Sequence, residues 1–411
     1  MYFMKCRHCL SELQLSFIDL GFAPPSNAYL TKNDLAKPQI FYPLRVKVCD
    51  QCWLVQTEDY AQADELFDSE YAYFSSASST WLEHAKKYTD KMIEKFSLTE
   101  KSFVIEIASN DGYLLKNFMD KKIPCLGIEP TDSTAEAAEK IGIPVMRDFF
   151  GVKLAEQLAK KEMKADLIAG NNVYAHVPDI NDFTHGLKIA LKPSGIITLE
   201  FPHLIKLVEN CQFDTIYHEH FSYLSLTTVD AIFHKNNLEI FDVEELTTHG
   251  GSLRIFAQHA DSGSHQKTKI LGEILESELA AGIKSEDYYE GFQNRANAIK
   301  NNLVDFLIKL KQEGKSVGAY GAAAKGNTLL NYAGIRADLM PWVVDRSQSK
   351  QSKYLPGCTI PIFDESHIRK KQPDYIIILP WNLRDEVISQ LEYAREWGAK
   401  FVTIIPSLQI S

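Results

Sequence analysis

Residues 214–223 hold the densest group of proton-transferring side chains in the sequence. Tyr217, His218, Glu219 and His220 are consecutive, so a phenol, a carboxylate and two imidazoles stand side by side among aromatic neighbours. Aromatic walls lower the local dielectric, and an adjacent carboxylate raises the pKa of an imidazole. A histidine here is therefore expected to titrate near neutral pH and to act as a general base. A polar loop with solvated histidines is the alternative.

Four of the seven cysteines form two C-x2-C pairs, Cys6 with Cys9 and Cys49 with Cys52. This spacing lets two thiolates from each turn bind one tetrahedral Zn²⁺. Redox-active pairs or disulfides are the alternatives, but a reducing cytosol disfavours structural disulfides and neither pair opens a helix after a strand. Four thiolates leave no open coordination position, so the zinc is predicted to be structural and catalysis must lie elsewhere.

Composition narrows the class of protein. The chain has 411 residues, of which 45% are hydrophobic and 24% charged, as in soluble proteins of two or three domains. Its net charge of −10 argues against nucleic-acid or anionic-membrane partners. No apolar run approaches the roughly 20 residues that span a membrane, and residues 1–17 lack a secretory apolar core. We expect a cytoplasmic protein.

The order of elements predicts an α/β protein with three domains. Residues 1–72 combine the cysteine pairs with short strands and form a small zinc-binding domain. Residues 73–290 start with a helix at 79–96 and continue as a doubly wound series. Residues 291–411 form a second Rossmann-like unit. The predicted strands of the two larger domains lie at 103–107, 125–128, 167–170, 195–201, 252–258, 316–320, 342–344, 375–379 and 401–405.

Acidic residues at the first strand ends of the central domain indicate the ligand class. The first strand reaches Glu106 and turns through Ala108, Asn110 and Asp111, and the next strand ends at Glu129, 23 residues after Glu106. A carboxylate at the second strand tip can accept both ribose hydroxyls. A dinucleotide site needs G-x-G-x-x-G, which is missing, whereas an acid-lined turn suits the sulfonium and ammonium of S-adenosylmethionine (AdoMet). A turn without a ligand is the alternative.

Two further groups are predicted on the ligand side of this sheet. Asn171, Asn172 and His176 follow the third strand, at its carboxyl end. Asp148 precedes two phenylalanines and could bind the adenine amino group, with an aromatic ring against the base. The phenylalanine pair fits the core equally well.

Together these motifs resemble a known family. The cysteine pairs, "VIEIASNDGYLL", "NNVYAHVPD", "IYHEHFSYLSL" and "GAYGAAAKGNTLLNY" are similar, in the same order and over essentially the whole chain, to the zinc-containing sugar C-methyltransferases. These AdoMet enzymes are typified by the C-3′-methyltransferases of deoxysugar biosynthesis. The resemblance implies a monomer with a central AdoMet domain. Its C-terminal domain is implied to close over a 4-keto-6-deoxysugar linked to a nucleotide such as dTDP or GDP.

The resemblance also implies roles for the 217–220 segment. It places Tyr217, Glu219 and His220 against the sugar, with His220 as the base at C3 and His218 at a variable position. In the resulting hypothesis Glu219 holds the imidazole of His220. On a regular strand Tyr217 and Glu219 would face away from His220, so the segment is predicted to be irregular.

Three more residues enter the predicted active site by the same resemblance. His176 matches a histidine after the third central strand, and the tyrosine at the entry to the central domain is Tyr71 or Tyr73. In the hypothesis Tyr217 or His176 hydrogen-bonds the ketone oxygen at C4.

The C-terminal unit is expected to bind the nucleotide part of the substrate. Lys325 and Asn327 lie in a turn that opens a helix after a strand, and Lys350 and Lys353 lie in a later loop. We interpret the lysines as contacts to a diphosphate, with a solvated surface loop as the alternative. The glycines of the turn do not fit G-x-G-x-x-G, which weakens the reading as an NAD-dependent sugar-nucleotide oxidoreductase. A zinc-ribbon adaptor without a small-molecule site would leave the acidic strand ends unexplained.

Overall fold

The computed structural model describes residues 4–60 and 74–411, and three β-sheets organise them. The strands are β1 Leu15–Ala23, β2 Tyr42–Val48, β3 Val55–Thr57, β4 Val104–Ile107, β5 Cys125–Ile128, β6 Val145–Met146, β7 Ala165–Asn171, β8 Leu191–Pro202, β9 Ser222–Tyr223, β10 Leu238–Leu246, β11 Ser252–His259, β12 Val317–Tyr320, β13 Val343–Val344, β14 Ile362–Phe363, β15 Tyr375–Ile378, β16 Lys400–Thr403 and β17 Gln409–Ile410. The α-helices are α1 Ser79–Phe96, α2 Leu115–Asp120, α3 Asp132–Lys140, α4 Val152–Lys160, α5 Ile180–Ala190, α6 Leu204–Glu209, α7 Leu226–Lys235, α8 Lys269–Ala280, α9 Phe292–Gln312, α10 Ala324–Tyr332, α11 Ser366–Lys371 and α12 Arg384–Gln390. Within the described ranges, none of these helices has the length and apolar character that a membrane crossing requires.

The N-terminal sheet is antiparallel, and its fourth strand comes from the middle of the chain. Its order is β1-β2-β3-β9, and β9 follows directly on the predicted catalytic segment. The third strand begins only at Val55, because Trp53 has a positive φ of 61° and closes the second cysteine turn by donating its N–H to Cys49 O. The pairing of β3 with β9 therefore ties the zinc-binding part to the catalytic segment.

The central sheet has seven strands in the order β10-β11-β8-β7-β4-β5-β6. The strands from β8 to β6 pair in parallel, and β11 runs antiparallel between β8 and β10. This is the predicted doubly wound sheet. The helix predicted at 79–96 is confirmed at both ends, where Ser78 Oγ caps the first turn and Ser97 ends the last in a left-handed conformation.

Two central strands, β6 and β10, were not predicted from the sequence, and charges interrupt the apolar pattern of β10. Its acidic side chains bind cations on neighbouring elements. Asp242 pairs with Lys95 at 2.5 Å, and Glu244 pairs with Arg254 at 2.9 Å. These partners lie outside the strand, Arg254 on the next strand and Lys95 147 residues away, so the pattern of β10 itself does not reveal them.

The C-terminal sheet has the order β14-β13-β12-β15-β16-β17, with only β17 antiparallel. The N-terminal sheet packs against this part, for example through stacked Phe17 and Phe292 rings 4.3 Å apart. A turn after β1 makes further contacts, in which Tyr29 donates to Ala322 O at 2.6 Å. The catalytic segment thus lies where all three parts meet.

Candidate active site

The segment from 213 to 223 has irregular backbone, as predicted. A short 3₁₀ turn at Phe213–Thr215 leads into a second turn, which His220 N–H closes by donating to Tyr217 O at 2.9 Å. The chain then enters β9. Because the backbone is irregular, Tyr217 and His220 can face the same centre, although they would lie on opposite faces of a regular strand.

His220 is buried and held in one orientation. Its Nδ1 lies 2.8 Å from Thr215 O, so Nδ1 carries the proton and Nε2 keeps its lone pair. Burial lowers the pKa of His220 well below its usual range, and the nearby His176 lowers it further. The sequence had suggested a raised pKa; that expectation is wrong, because burial outweighs the adjacent carboxylate. His220 is a neutral imidazole at physiological pH.

His176 faces His220 from the loop after β7. The centroids of the two rings lie 4.6 Å apart, and the Tyr217 ring lies 4.0 Å from that of His220. The Nδ1–H of His176 donates to the backbone oxygen of Glu219 at 2.7 Å. Burial lowers the pKa of His176 to about 4, so this ring is also neutral. Three of the predicted catalytic side chains therefore do converge.

The side chain of Glu219 has a different partner from the one predicted. Its Oε1 accepts a hydrogen bond from Asn27 Nδ2 at 3.2 Å, and its buried Oε2 has no partner among the described residues. The backbone oxygen of Thr215, not Glu219, orients His220, so that prediction is wrong. Burial raises the pKa of Glu219 to about 7.

His218 points away from this centre. Its Nε2 lies 3.2 Å from Pro43 O, and its ring packs on Tyr42 in the N-terminal sheet. Tyr71 and Tyr73, the predicted tyrosines at the domain entry, lie outside the described residues.

The turn after β4 carries strain and buried acids. Ala108 and Asn110 have positive φ values of 55° and 50°, which non-glycine residues rarely adopt. Glu106 is fully buried with Tyr113 as a hydrogen-bond donor, and Oδ1 of Asp111 is buried without a hydrogen-bond partner in the described part of the chain. Burial raises the pKa of Glu106 well above its usual range, and the charges of Asp111 and Glu129 raise it further. A cation is the missing partner that this arrangement favours.

Glu129 holds the turn in place from the tip of β5. Its oxygens accept from the backbone N–H of Asn110 at 2.8 Å, and from the N–H and hydroxyl of Thr131 at 3.0 and 2.5 Å. A carboxylate has about four acceptor positions, so one remains for a ligand. Its contact with a ribose stays a prediction.

Asn171 lies at the end of β7, with both atoms of its side-chain amide buried and unpaired among the residues described. Asn172 follows in a left-handed conformation, and its Nδ2 lies 3.0 Å from Nε2 of His249. Sequence reasoning missed His249, which stands in a glycine-flanked turn and whose pKa burial lowers to about 4. The unpaired amide of Asn171 borders the same sheet edge as Glu106. This edge therefore offers polar and acidic partners that fit the polar and cationic groups of AdoMet.

Asp148 is exposed at the end of β6 and accepts from the N–H of Phe149. The two phenylalanines have separate environments. Phe150 packs on Phe183 with ring centroids 5.3 Å apart, whereas Phe149 is 48% exposed. Phe150 thus belongs to the core, and an adenine contact by Asp148 and Phe149 stays a prediction.

The four cysteines meet as predicted. The Sγ atoms of Cys6, Cys9, Cys49 and Cys52 lie within 4.8 Å of one another, and the two closest pairs are 3.5 and 3.4 Å apart. Sulfur atoms around a tetrahedral Zn²⁺, at about 2.3 Å from the metal, would lie about 3.8 Å apart. The cluster therefore fits zinc with four thiolates and no open position.

Lys325 is half-buried beside the catalytic segment, not in a solvated loop. Its Nζ donates to Asn382 Oδ1 at 2.7 Å and lies 4.8 Å from the centroid of the Trp381 ring. Trp381 in turn donates to Asp214 at 2.8 Å. Burial raises the pKa of Asp214 to about 6, and the Lys325 charge opposes this rise. A positive charge therefore stands next to the neutral histidines.

The other predicted substrate residues are also at least half-buried. Lys350 pairs with Asp345 at 3.6 Å, and its ammonium lies over the Tyr29 ring. Asn327 is buried and accepts from Asn331, while its Nδ2 has no partner within the described residues. Lys353 is half-buried in the following loop. Their contact with a substrate stays a prediction.

Comparison with known proteins covers almost every residue of the chain. Three families match, described as a zinc binding domain at residues 6–67, a methyltransferase domain at 81–243 and a C-methyltransferase C-terminal domain at 247–406. C-methyltransferase NovU of Streptomyces niveus is 32% identical over 406 residues, which cover 99% of this chain and 96% of that protein.

Solved structures match less than half of the chain. An S-adenosylmethionine-dependent methyltransferase from Clostridium acetobutylicum matches 43% of this chain and 91% of its own, with 11% identity and a TM-score of 0.35. Magnesium protoporphyrin IX methyltransferase from Synechocystis with bound SAM matches 43% of this chain and 78% of its own, with 13% identity and a TM-score of 0.33.

Proposed function

The chain belongs to the zinc-containing, AdoMet-dependent C-methyltransferases, and from this membership we propose that it methylates C3 of a nucleotide-linked 4-keto-6-deoxysugar as a monomer. The observation that carries the proposal is the pair of neutral imidazoles of half-buried His176 and buried His220, whose ring centroids lie 4.6 Å apart. A neutral imidazole can take a proton from carbon, which an imidazolium cannot. Neither the matched families nor the site favours the alternative of an NAD-dependent oxidoreductase.

His220 is the proposed base. The hydrogen bond from its Nδ1–H to Thr215 O fixes the ring and directs the basic lone pair of Nε2 toward the sugar. A C–H next to a ketone is acidic because the oxygen takes up the charge when the proton leaves. AdoMet, when bound, supplies an electrophilic methyl group to that carbon.

Tyr217 is the proposed donor to the C4 oxygen. His176 donates from Nδ1 to Glu219 O, so in its neutral form Nε2 has no proton to give. Its lowered pKa, about 4, makes the doubly protonated form rare. The phenol of Tyr217, beside the His220 ring, offers an O–H donor. The Lys325 ammonium adds positive charge near the developing enolate, and Lys350 and Lys353 are proposed to meet the diphosphate.

AdoMet binding is expected to release a proton from Glu106. In the free enzyme burial raises the pKa of Glu106 well above its usual range and so favours the protonated carboxyl, whereas the cationic ligand favours the carboxylate. The affinity for AdoMet should therefore rise with pH and become constant once the pH exceeds the pKa of Glu106 in the free enzyme. Calorimetry in buffers of different ionisation enthalpy measures the released protons. Glu106→Gln should abolish the release and weaken binding by roughly tenfold or more. Equal proton release by both proteins would contradict the assignment.

The substrate class is tested with labelled AdoMet and a panel of dTDP- and GDP-linked 4-keto-6-deoxysugars. We expect at least one sugar to gain the mass of one methylene unit, with the new methyl group on C3. AdoMet binding without transfer to any member of the panel would contradict the proposed substrate.

A further inference from the structure

Arg7 occupies an unusual position between the zinc knuckle and the active site. It lies between the metal-binding residues Cys6 and Cys9, yet only 5% of its side chain is exposed. Its Nη1 donates to Pro178 O at 2.9 Å, and its Nη2 donates to Thr57 O at 3.0 Å. The same Nη2 reaches the exposed carboxylate of Asp59 at 2.8 Å.

These acceptors belong to the segments that hold the two histidines. Pro178 comes two residues after His176, in the same loop. Thr57 holds the other segment, because its hydroxyl donates to His220 O at 3.1 Å and its N–H donates to Phe221 O at 3.2 Å. The guanidinium of Arg7 also lies 5.3 Å from the centroid of the Phe221 ring. One side chain thus touches both histidine-bearing segments.

The backbone of Arg7 is fixed as firmly as its side chain. Its N–H donates to Gln56 Oε1 at 2.9 Å, and its oxygen accepts from Asn181 Nδ2 at 3.2 Å. The amide of Gln56 donates in turn to Cys6 Sγ at 3.2 Å. The position of the guanidinium is therefore set by the folded knuckle.

We propose that Arg7 is a positioning residue that fixes His176 and His220 relative to each other and so couples the zinc knuckle to the catalytic centre. This rests on the proposed function of the two histidines. A planar guanidinium can donate to two carbonyl oxygens and a carboxylate at once, in a fixed fork. The ammonium of a lysine is a compact charge on a flexible stem and cannot reproduce that geometry.

The test compares Arg7→Lys and Arg7→Ala with Arg45→Lys. Arg45 is a matched control, since it lies in the same sheet and pairs with Asp19 at 3.1 Å, but contacts neither histidine-bearing segment. Zinc content, AdoMet affinity, kcat and KM for the sugar nucleotide are measured for each protein. NMR of ¹⁵N-labelled histidines reports the environments of His176 and His220 without any substrate.

Both Arg7 variants should keep one zinc and wild-type AdoMet affinity, while kcat falls roughly tenfold to a hundredfold, as expected when a catalytic group shifts by about 1 Å. KM should change little, the His176 and His220 resonances should move, and guanidinium ion should partly restore Arg7→Ala. Arg45→Lys should behave as wild type. Zinc-loaded variants with normal kcat and unmoved resonances would overturn the proposal. Loss of zinc in parallel with kcat in both variants would also overturn it, in favour of a folding role.

A failure of the proposed function can be distinguished from a failure of the positioning role of Arg7. If wild-type protein methylates no 4-keto sugar while the histidine resonances do move in Arg7→Lys, the substrate is wrong and the positioning by Arg7 stands.

Discussion

His220→Gln lowers kcat for methyl transfer by roughly a hundredfold or more and leaves AdoMet affinity unchanged. Glutamine offers no basic nitrogen to the sugar in place of Nε2 of His220, which the Nδ1–H bond to Thr215 O at 2.8 Å orients. The loss should therefore appear in kcat, with little change in KM. Steady-state kinetics with a 4-keto sugar nucleotide and calorimetry with AdoMet measure the two effects.

His218→Gln is the matched control for this substitution. His218 is a buried neighbour of the same type, but its ring contacts Tyr42 and Pro43 O in the N-terminal sheet. It should keep most of the wild-type kcat. A near-normal kcat in His220→Gln, or an equal loss in His218→Gln, would reject His220 as the base.

The pH dependence of kcat is a second test of His220. A base works in its neutral form, and burial lowers the pKa of His220 well below its ordinary value of 6.5. Lowering the pH should therefore leave kcat constant through 6.5, and any decline caused by His220 should begin at more acidic pH. An acid limb centred at or above 6.5 that disappears in His220→Gln would contradict a buried, neutral His220.

Removal of the zinc abolishes activity, although four thiolates leave this metal no open position for a substrate. Cys49→Ala removes one of four thiolates and should prevent stable metal binding, since structural zinc sites of this kind contribute about 10 kcal/mol or more to folding. β3 would then no longer hold the catalytic segment through its pairing with β9 and through the Thr57 hydrogen bond to His220 O. The zinc content, measured by metal analysis, and kcat should fall together.

A cysteine outside the cluster gives the control. Cys358 is buried in the C-terminal part, and Cys358→Ala should keep its zinc and most of its activity. When the wild-type protein is titrated with a chelator, the release of zinc and the loss of kcat should depend on the chelator concentration in the same way. A zinc-free protein with wild-type kcat would show that the knuckle is not needed to position the segment.

Patterns of residue type were sufficient to predict the fold. The apolar spacing at 79–96 predicted a helix that both ends of α1 match, and the C-x2-C spacing predicted a cluster whose four sulfur atoms do meet. Both are local patterns with a single physical explanation. β10 was not predicted because its acids interrupt the apolar pattern, and the cations that compensate them, Lys95 on α1 and Arg254 on β11, lie outside the strand.

The irregular backbone of the predicted catalytic segment was expected correctly, but its electrostatics were not. Adjacency in the sequence suggested that Glu219 would raise the pKa of His220, whereas burial lowers it, and burial depends on the surrounding fold. The partner of Glu219 is Asn27, 192 positions away, and the partner of His220 is a backbone oxygen. Neither kind of partner leaves a signal in residue type or spacing.

Exchange of the C3 proton of the sugar with solvent tests the central claim most directly. Wild-type protein and His220→Gln are incubated in D₂O with a 4-keto-6-deoxysugar nucleotide and S-adenosylhomocysteine, so that no methyl group can be transferred, and deuterium at C3 is followed by NMR. We predict exchange by the wild-type protein and a rate lower by roughly a hundredfold in His220→Gln. Exchange at the wild-type rate in His220→Gln would contradict the account.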